Sequence, residues 1–260
     1  MGETHWELPP FDVTELAPRA SAVCVLVPVV NEGDRLLAQL ERMRAAAPDL
    51  DVLLADGGSE DGSTAPDRLA ALGVSALLRM HGGPALSAQL RMGMAWALDR
   101  GYEGLITIDG NGKDGVEAIP RFAAALADGF DYVQGSRYVP GGEAVNTPWD
   151  RHLGVRLLHA PVLSAAAGFR FTDTTNGFRA FSARLLRDDR VRPFRAVFHT
   201  YNLHYYLTVR APRLGFRVTE LPVRRAYPEA GATPSKIAGW GARVRLLGQL
   251  FGAATGRYDP

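Results

Sequence analysis

Three apolar runs each break off into a short loop rich in carboxylates and amides, and this repeated design constrains the fold more than any other feature. Val23-Cys24-Val25-Leu26-Val27-Pro28 leads into Val30-Asn31-Glu32, and Val52-Leu53-Leu54-Ala55-Asp56 into Gly57-Gly58-Ser59-Glu60-Asp61-Gly62. Leu105-Ile106-Thr107-Ile108-Asp109 leads into Gly110-Asn111-Gly112-Lys113-Asp114. Near-continuous apolar runs of this length read as strands buried on both faces of a parallel sheet. Helical patterns lie between them. Gly33-Asp34 opens one with a stripe of Leu36, Leu37, Leu40 and Met43, stopped by Pro48. Residues 63–72 read as a second, closed by Gly73, and Leu86, Leu90, Met94 and Leu98 mark a third that ends at Gly101. Strands alternating with helices predict one α/β domain, a Rossmann-like, mostly parallel sheet flanked by helices, with its polar loops along one edge.

The rest of the chain continues the pattern less regularly. A short strand is expected at 74–78, a helix at 117–126, a strand at 132–138, helices at 153–167 and 201–209, and a last strand at 217–223. The polar stretch 143–149, broken by Pro148, reads as an active-site loop. Thr172-Asp173-Thr174-Thr175-Asn176-Gly177 reads as a tight turn in which Asp173 and Asn176 stabilise their own backbone. Residues 1–21 read as a Pro-rich leader, 22–236 as the main domain and 237–260 as an amphipathic helix with a tail.

Composition removes several functional classes. Twenty-nine basic residues against 28 acidic ones give a formal charge of +1, so no global field favours nucleic acid. The basic residues of the last third suit an anionic substrate, a membrane surface or a solvated rim. The single cysteine, Cys24, lies in the first apolar strand and reads as a buried hydrophobe in a reducing, cytoplasmic setting. Met1 to Phe11 lacks the pattern of a signal peptide, and no window reaches the roughly 18 apolar residues of a membrane span.

Six motifs in order resemble glycosyltransferase family 2, of the GT-A fold, and most closely its polyprenyl-phosphate, dolichol-phosphate mannose synthase-like branch. They are Val27-Pro28-Val29-Val30-Asn31-Glu32, Ala55-Asp56-Gly57-Gly58-Ser59-Glu60-Asp61-Gly62-Ser63, Gly135-Ser136-Arg137-Tyr138, Asn176-Gly177-Phe178-Arg179-Ala180-Phe181, the segment 215–223, and Ser235-Lys236. The resemblance implies an inverting hexosyltransferase that uses Mg²⁺ or Mn²⁺ and a UDP- or GDP-hexose, with a polyprenyl phosphate as acceptor at the inner face of the membrane. One departure stands out: the second carboxylate of the family's Asp-x-Asp metal motif is Asn111 here.

The resemblance implies metal ligation by Asp109, with Asn111 or Asp114 completing the site; Asp114 reads equally as a helix cap. It implies donor contacts from Pro28, Asn31, Glu32, Asp56, Gly58, Ser59, Gly110 and Asn111, with Gln89 and Arg91 reaching in from a neighbouring helix. Arg137 and Arg179 are the expected phosphate anchors, because guanidinium grips phosphate through a fork of donors. Arg151 or Arg156 can join them, and Arg225 and Lys236 can close on the donor diphosphate. An ionised acceptor phosphate needs no strong base; a sugar hydroxyl would, and Asp173 is then the candidate. His204 reads as part of a packed aromatic helix rather than a third metal ligand. The apolar recurrence Ile237, Trp240, Val244, Leu247 and Phe251 suits either a helix lying on an anionic bilayer or one docked on the domain. Two alternatives remain: transfer to a soluble sugar or natural-product acceptor, and a nucleotide-sugar-binding module without turnover.

Overall fold

The computed structural model describes residues 6–228 and 240–260. In chain order its elements are β1 (Phe11–Glu15), β2 (Val23–Val29), α1 (Asp34–Ala46), β3 (Asp51–Asp56), α2 (Pro66–Ala71), β4 (Val74–Met80), α3 (Leu86–Asp99) and β5 (Gly104–Thr107). There follow α4 (Ile119–Ala127), β6 (Tyr132–Ser136), β7 (Glu143–Val145), α5 (Trp149–Gly154), α6 (Ala160–Ala167), β8 (Arg179–Ser182), α7 (Ala183–Arg187), α8 (Asn202–Arg213), β9 (Val218–Pro222), β10 (Arg224–Ala226) and α9 (Trp240–Ala254).

Eight strands form one sheet in the order β1-β4-β3-β2-β5-β8-β6-β9. Strand side chains alternate between its faces. Cys24 and Leu26 of β2, with Leu53 and Ala55 of β3, face a core shared with α3, α6 and α8. Val25, Val27 and Val29, with Val52 and Leu54, face a second core shared with α1 and α4. Every residue of β3 is buried, as expected of a strand covered on both sides.

The pairing directions place the functional loops. Strands β2, β3, β4 and β5 are mutually parallel. Strand β8 runs antiparallel to both β5 and β6, and β9 is parallel to β6. The C-terminal ends of β2, β3, β5, β6 and β9 therefore share one edge with the start of β8. That edge receives Asn31, Asp56, Asp109, Arg137 and Arg225, together with the Asn176–Arg179 turn.

Three elements differ from the sequence expectation. The leader supplies β1, an edge strand antiparallel to β4, because its alternating Phe11, Val13 and Glu15 can pair even between prolines. The stretch 143–149 is not a free loop: β7 pairs in parallel with β10, closing a two-stranded ribbon over the sheet edge. The C-terminal helix α9 buries Leu250 and Ala253 in the core shared with α8, which favours docking. Ile237 lies outside the described residues.

Candidate active site

Asp109 stands two residues beyond β5, and its loop is clamped from α1. The Gln39 side chain donates to the Asp109 carbonyl (2.9 Å) and accepts from the Gly112 N–H (2.7 Å). Gln39 is fully buried in an otherwise apolar stripe. A polar residue at a core-facing helix position is the sequence signal for this clamp. The Asp109 carboxylate receives the Arg225 guanidinium at 3.0 Å and the Asn111 amide at 3.4 Å.

Gly177 lets that carboxylate sit where it does. A Cβ there would lie 2.5 Å from Asp109 Oδ1, closer than any real contact. Gly177→Ala should therefore push the carboxylate off its position and lower turnover about 100-fold, the scale of an ångström-sized misplacement. Steady-state rates beside an unchanged melting temperature would show this; full activity would refute it.

Asp114 does not face the cleft beside Asp109. It is 1% exposed, and its Oδ2 accepts from Arg225 Nη1 at 2.6 Å, while Oδ1 has no partner among the described residues. Arg225 thus bridges both carboxylates. Backbone pairing locks the bridge, with Gly115 N–H donating to the Arg224 carbonyl and Ala226 N–H to that of Lys113. Burial pushes the Asp114 carboxyl up to about 6, against the opposing pull of Arg225. Burial alone would lower Arg225, but the two carboxylates hold it firmly protonated.

Tyr227, which no motif marked, is the hub of a cationic cluster. Lys113, Arg151 and Arg225 lie 5.1, 5.6 and 5.9 Å from its ring centroid. Burial favours its neutral phenol, yet Arg225 and the Arg151 hydrogen bond bring its pKa below the usual phenol value. Lys113 is lowered by burial and by the neighbouring Arg225.

Arg137 faces the same edge but is already paired. Its guanidinium forks onto Asp173 at 2.6 and 3.0 Å and reaches Thr175 Oγ1 at 3.0 Å. Asp173 is fully buried, and Glu220 holds the backbone N–H groups of Thr172 and Asp173 behind it. Burial pushes the Asp173 carboxyl up, and Arg137 more than reverses this, leaving it below its ordinary value of 3.8. A lowered carboxyl contributes stability above its unfolded pKa and loses it as pH falls through the folded value. Asp173→Asn should cost about 2 kcal/mol at pH 7, and the deficit should shrink below pH ~4 as the native carboxylate protonates. Urea midpoints across that range measure it; a pH-independent deficit would contradict the assignment.

Three expected site residues are instead structural. Arg179, at the first position of β8, points into the core and donates to the carbonyls of Thr174, Asn176 and His204 and to the Tyr132 and Thr208 hydroxyls. Gln89 ties β2 to β3 by donating to the Val29 and Ala55 carbonyls. Arg91 donates to the Phe198 and Glu7 carbonyls. Each directs donors onto buried backbone carbonyls, where a charged or amide side chain must find partners. His204 is likewise buried on α8, with Nε2 lacking a partner among the described residues.

The nucleotide-side loops knit together. Asp56, fully buried, accepts from the Gly58 and Ser59 N–H groups and the Ser59 hydroxyl (3.1, 2.8 and 2.7 Å), and pairs with Arg79 at 3.2 Å. Ser59 Oγ accepts from Asn31 N–H, and Asn31 Oδ1 from Glu60 N–H. Asn31 holds φ +49°, a left-handed geometry that Asn tolerates. Glu32 pairs with Arg35 at 3.2 Å. Pro28 is half-buried at the end of β2, paired with Ala55. Gly110 packs against β2, where a Cβ would strike Val29 at 2.5 Å. Lys236 lies outside the described residues.

This set of oxygen donors fits a hard divalent cation. Asp109 offers a carboxylate that is 25% exposed with the Asn111 side chain beside it, and the fit leaves further ligand positions to phosphate and water. Among the described residues, no group of three His, Cys, Asp or Glu gathers as a complete protein cage.

The sequence model described as Glycosyl transferase family 2 matches residues 24–192. A polyprenol monophosphomannose synthase of Mycolicibacterium smegmatis is 32% identical over 235 residues, spanning 85% of this chain and 88% of that protein. An undecaprenyl-phosphate mannosyltransferase of Micrococcus luteus is 33% identical over 219 residues, spanning 84% and 88%. Among solved structures, glucosyl-3-phosphoglycerate synthase of Mycobacterium tuberculosis, in complex with Mn²⁺, UDP and phosphoglyceric acid, superposes with a TM-score of 0.63 at 16% identity. That match covers 89% of this chain and 78% of the other.

Proposed function

Because this chain belongs to glycosyl transferase family 2 and is a glycosyltransferase of GT-A fold, we propose that it moves a hexose from a UDP- or GDP-sugar to a polyprenyl phosphate with inversion. The observation that carries this reading is the crowding of Lys113, Arg151 and Arg225 around Tyr227 beside Asp109. So many cations in one cleft suit a reaction with two anionic partners, a departing diphosphate and an incoming phosphate. The names of both mannosyl-transferring relatives point to mannose as the first sugar to try.

When bound at Asp109, Mg²⁺ or Mn²⁺ would supply Lewis-acid neutralisation of the leaving diphosphate. The chain's own groups do the rest. Arg225 and Lys113 face the diphosphate, adding fixed positive charge where negative charge grows. Arg151, with Arg137 behind Tyr138, orients the acceptor phosphate, which is ionised at neutral pH and attacks without a general base. Asp173 then serves to hold Arg137 rather than to take a proton. The Asn31, Asp56 and Ser59 loops, with Pro28, Glu32 and Gly58, frame the base and ribose. Residues 22–236 carry this chemistry.

A lipid-linked acceptor brings the protein to a membrane surface, on the cytoplasmic side in this reading. No helix among the described residues is long and apolar enough to cross a membrane. The test is transfer of radiolabelled hexose from UDP- and GDP-sugars, with Mn²⁺, to polyprenyl phosphate in detergent. Label should enter the organic phase with one donor. Label released only as free sugar, or passed only to soluble sugars, would overturn the acceptor assignment.

A further inference from the structure

Helix α5 begins a continuous rod that passes through one π-helical stretch, 155–159, into α6. Every fourth residue along it is apolar and exposed: Trp149, Leu153, Leu157, Pro161 and Ala165. Trp149 is 76% exposed and Leu157 72%, far beyond what isolated surface apolar residues require. The ridge spans 16 residue steps, about 24 Å at a helical rise. Asp150, in the first turn, is the one acidic residue of the rod, and no Asp or Glu follows it up to 172, whereas Arg151, Arg156 and Arg170 do.

The opposite side of the rod belongs to the site. Val155, Ala160 and Leu163 are buried, Arg151 lies over Tyr227, His152 meets Tyr138 edge-on at 5.1 Å, and Arg156 lies over Tyr138. One rod thus presents Arg151 toward the Tyr227 cluster on one side and a bare apolar ridge on the other, a single helix diameter apart, about 10 Å.

We propose that this ridge is the surface through which the protein sits on an anionic bilayer, and that it sets the acceptor phosphate at headgroup level against Arg151. The inference rests on the lipid-acceptor reading. An apolar helix face sinks about 5–10 Å into the interface while neighbouring cations meet anionic headgroups. With the ridge at that depth, Arg151 lies where a lipid-linked phosphate emerges. The partner is a lipid surface rather than a second protein, because the unsaturated tail of the acceptor must leave the cleft into an apolar medium. Helix α9 is the weaker candidate, since Leu250 and Ala253 are already spent on the core.

The test compares wild type with a Trp149→Ser/Leu153→Ser/Leu157→Ser variant of the full chain. Flotation uses phosphatidylcholine vesicles containing one third phosphatidylglycerol. The variant should bind at least about tenfold more weakly, given three exposed apolar side chains withdrawn from the interface. Turnover should fall in parallel on polyprenyl phosphate in vesicles, yet stay at the wild-type level on water-soluble geranyl phosphate. Val13→Ser, on the distant edge strand, should change neither. Unchanged flotation would overturn the proposal, as would loss of flotation in Val244→Ser/Phe251→Ser alone. A wild-type dimer that the triple variant dissolves would assign the ridge to a second copy instead. If flotation responds as expected but neither acceptor is used, the docking surface stands and the lipid-acceptor reading fails.

Discussion

Asp109→Asn should lower turnover about 1,000-fold while leaving the fold intact. The side chain is one quarter exposed and makes its ion pair at the rim of the site, so an isosteric amide keeps its packing and can still accept from Arg225. What disappears is the negative charge that, in the proposed function, holds a divalent cation against the diphosphate. Losing one preorganised electrostatic contact at a developing charge typically costs 10²–10³-fold, and 1,000-fold corresponds to about 4 kcal/mol of barrier. The variant should also lose Mn²⁺ dependence: donor affinity, read by thermal shift with UDP- and GDP-sugars, should no longer rise with added metal. A variant that retains turnover within threefold, with its metal dependence intact, would show that the cation is held elsewhere.

The largest stability effect is expected at Arg225. Its guanidinium is the only cation hydrogen-bonded to the buried Asp114 among the described residues, at 2.6 Å. Removing one partner of a buried pair strands the other charge, at a typical cost of 3–5 kcal/mol. Arg225→Met should lose about that much in urea denaturation, a large share of the ~5–15 kcal/mol that keeps a domain folded. Adding Asp114→Leu removes the stranded carboxylate and should restore most of the loss. Turnover should stay low in the double variant, because Asp109 still lacks its guanidinium and, in the proposed function, the diphosphate lacks a cation. Recovery of both stability and activity would reduce Arg225 to a structural role. A loss under 1 kcal/mol in the single variant would show that the bridge is not formed in solution.

The bridge bears on the acidic loop's departure from the family pattern. With Asn111 in place of a second carboxylate, Asp114 is the nearest substitute in sequence, and metal ligation and helix capping were its two readings. Its side chain caps no helix. It lies under the loop and fixes Arg225, so its effect on the site passes through a residue 111 positions later.

Legibility followed the range of the forces involved. The buried strands of β2, β3 and β5, the stripe of α1 and the length of α3 were readable, because apolar content and spacing act within a few residues. So were the loops bearing Asn31, Asp56 and Asp109, since parallel strands must send their C-terminal ends to one edge. Strands β7, β8 and β10 were not, being three or four residues long and stabilised by partners far away in sequence. The two arginines that follow short motifs show the same boundary. Arg137 and Arg179 look alike as sequence, but Arg137 falls one residue beyond β6, at the edge, while Arg179 opens β8 facing the core.

By itself, the order of apolar runs and acidic loops determined that this chain builds an α/β sheet whose polar loops gather along one edge. Hydrophobic burial and strand geometry are local enough to be written in spacing. Only the tertiary structure decided which charges meet: Arg225 between Asp109 and Asp114, Gly177 beneath Asp109, Tyr227 within its ring of cations. A charged side chain reaches a few ångströms in any direction, and its partner is set by how the whole chain is threaded past it.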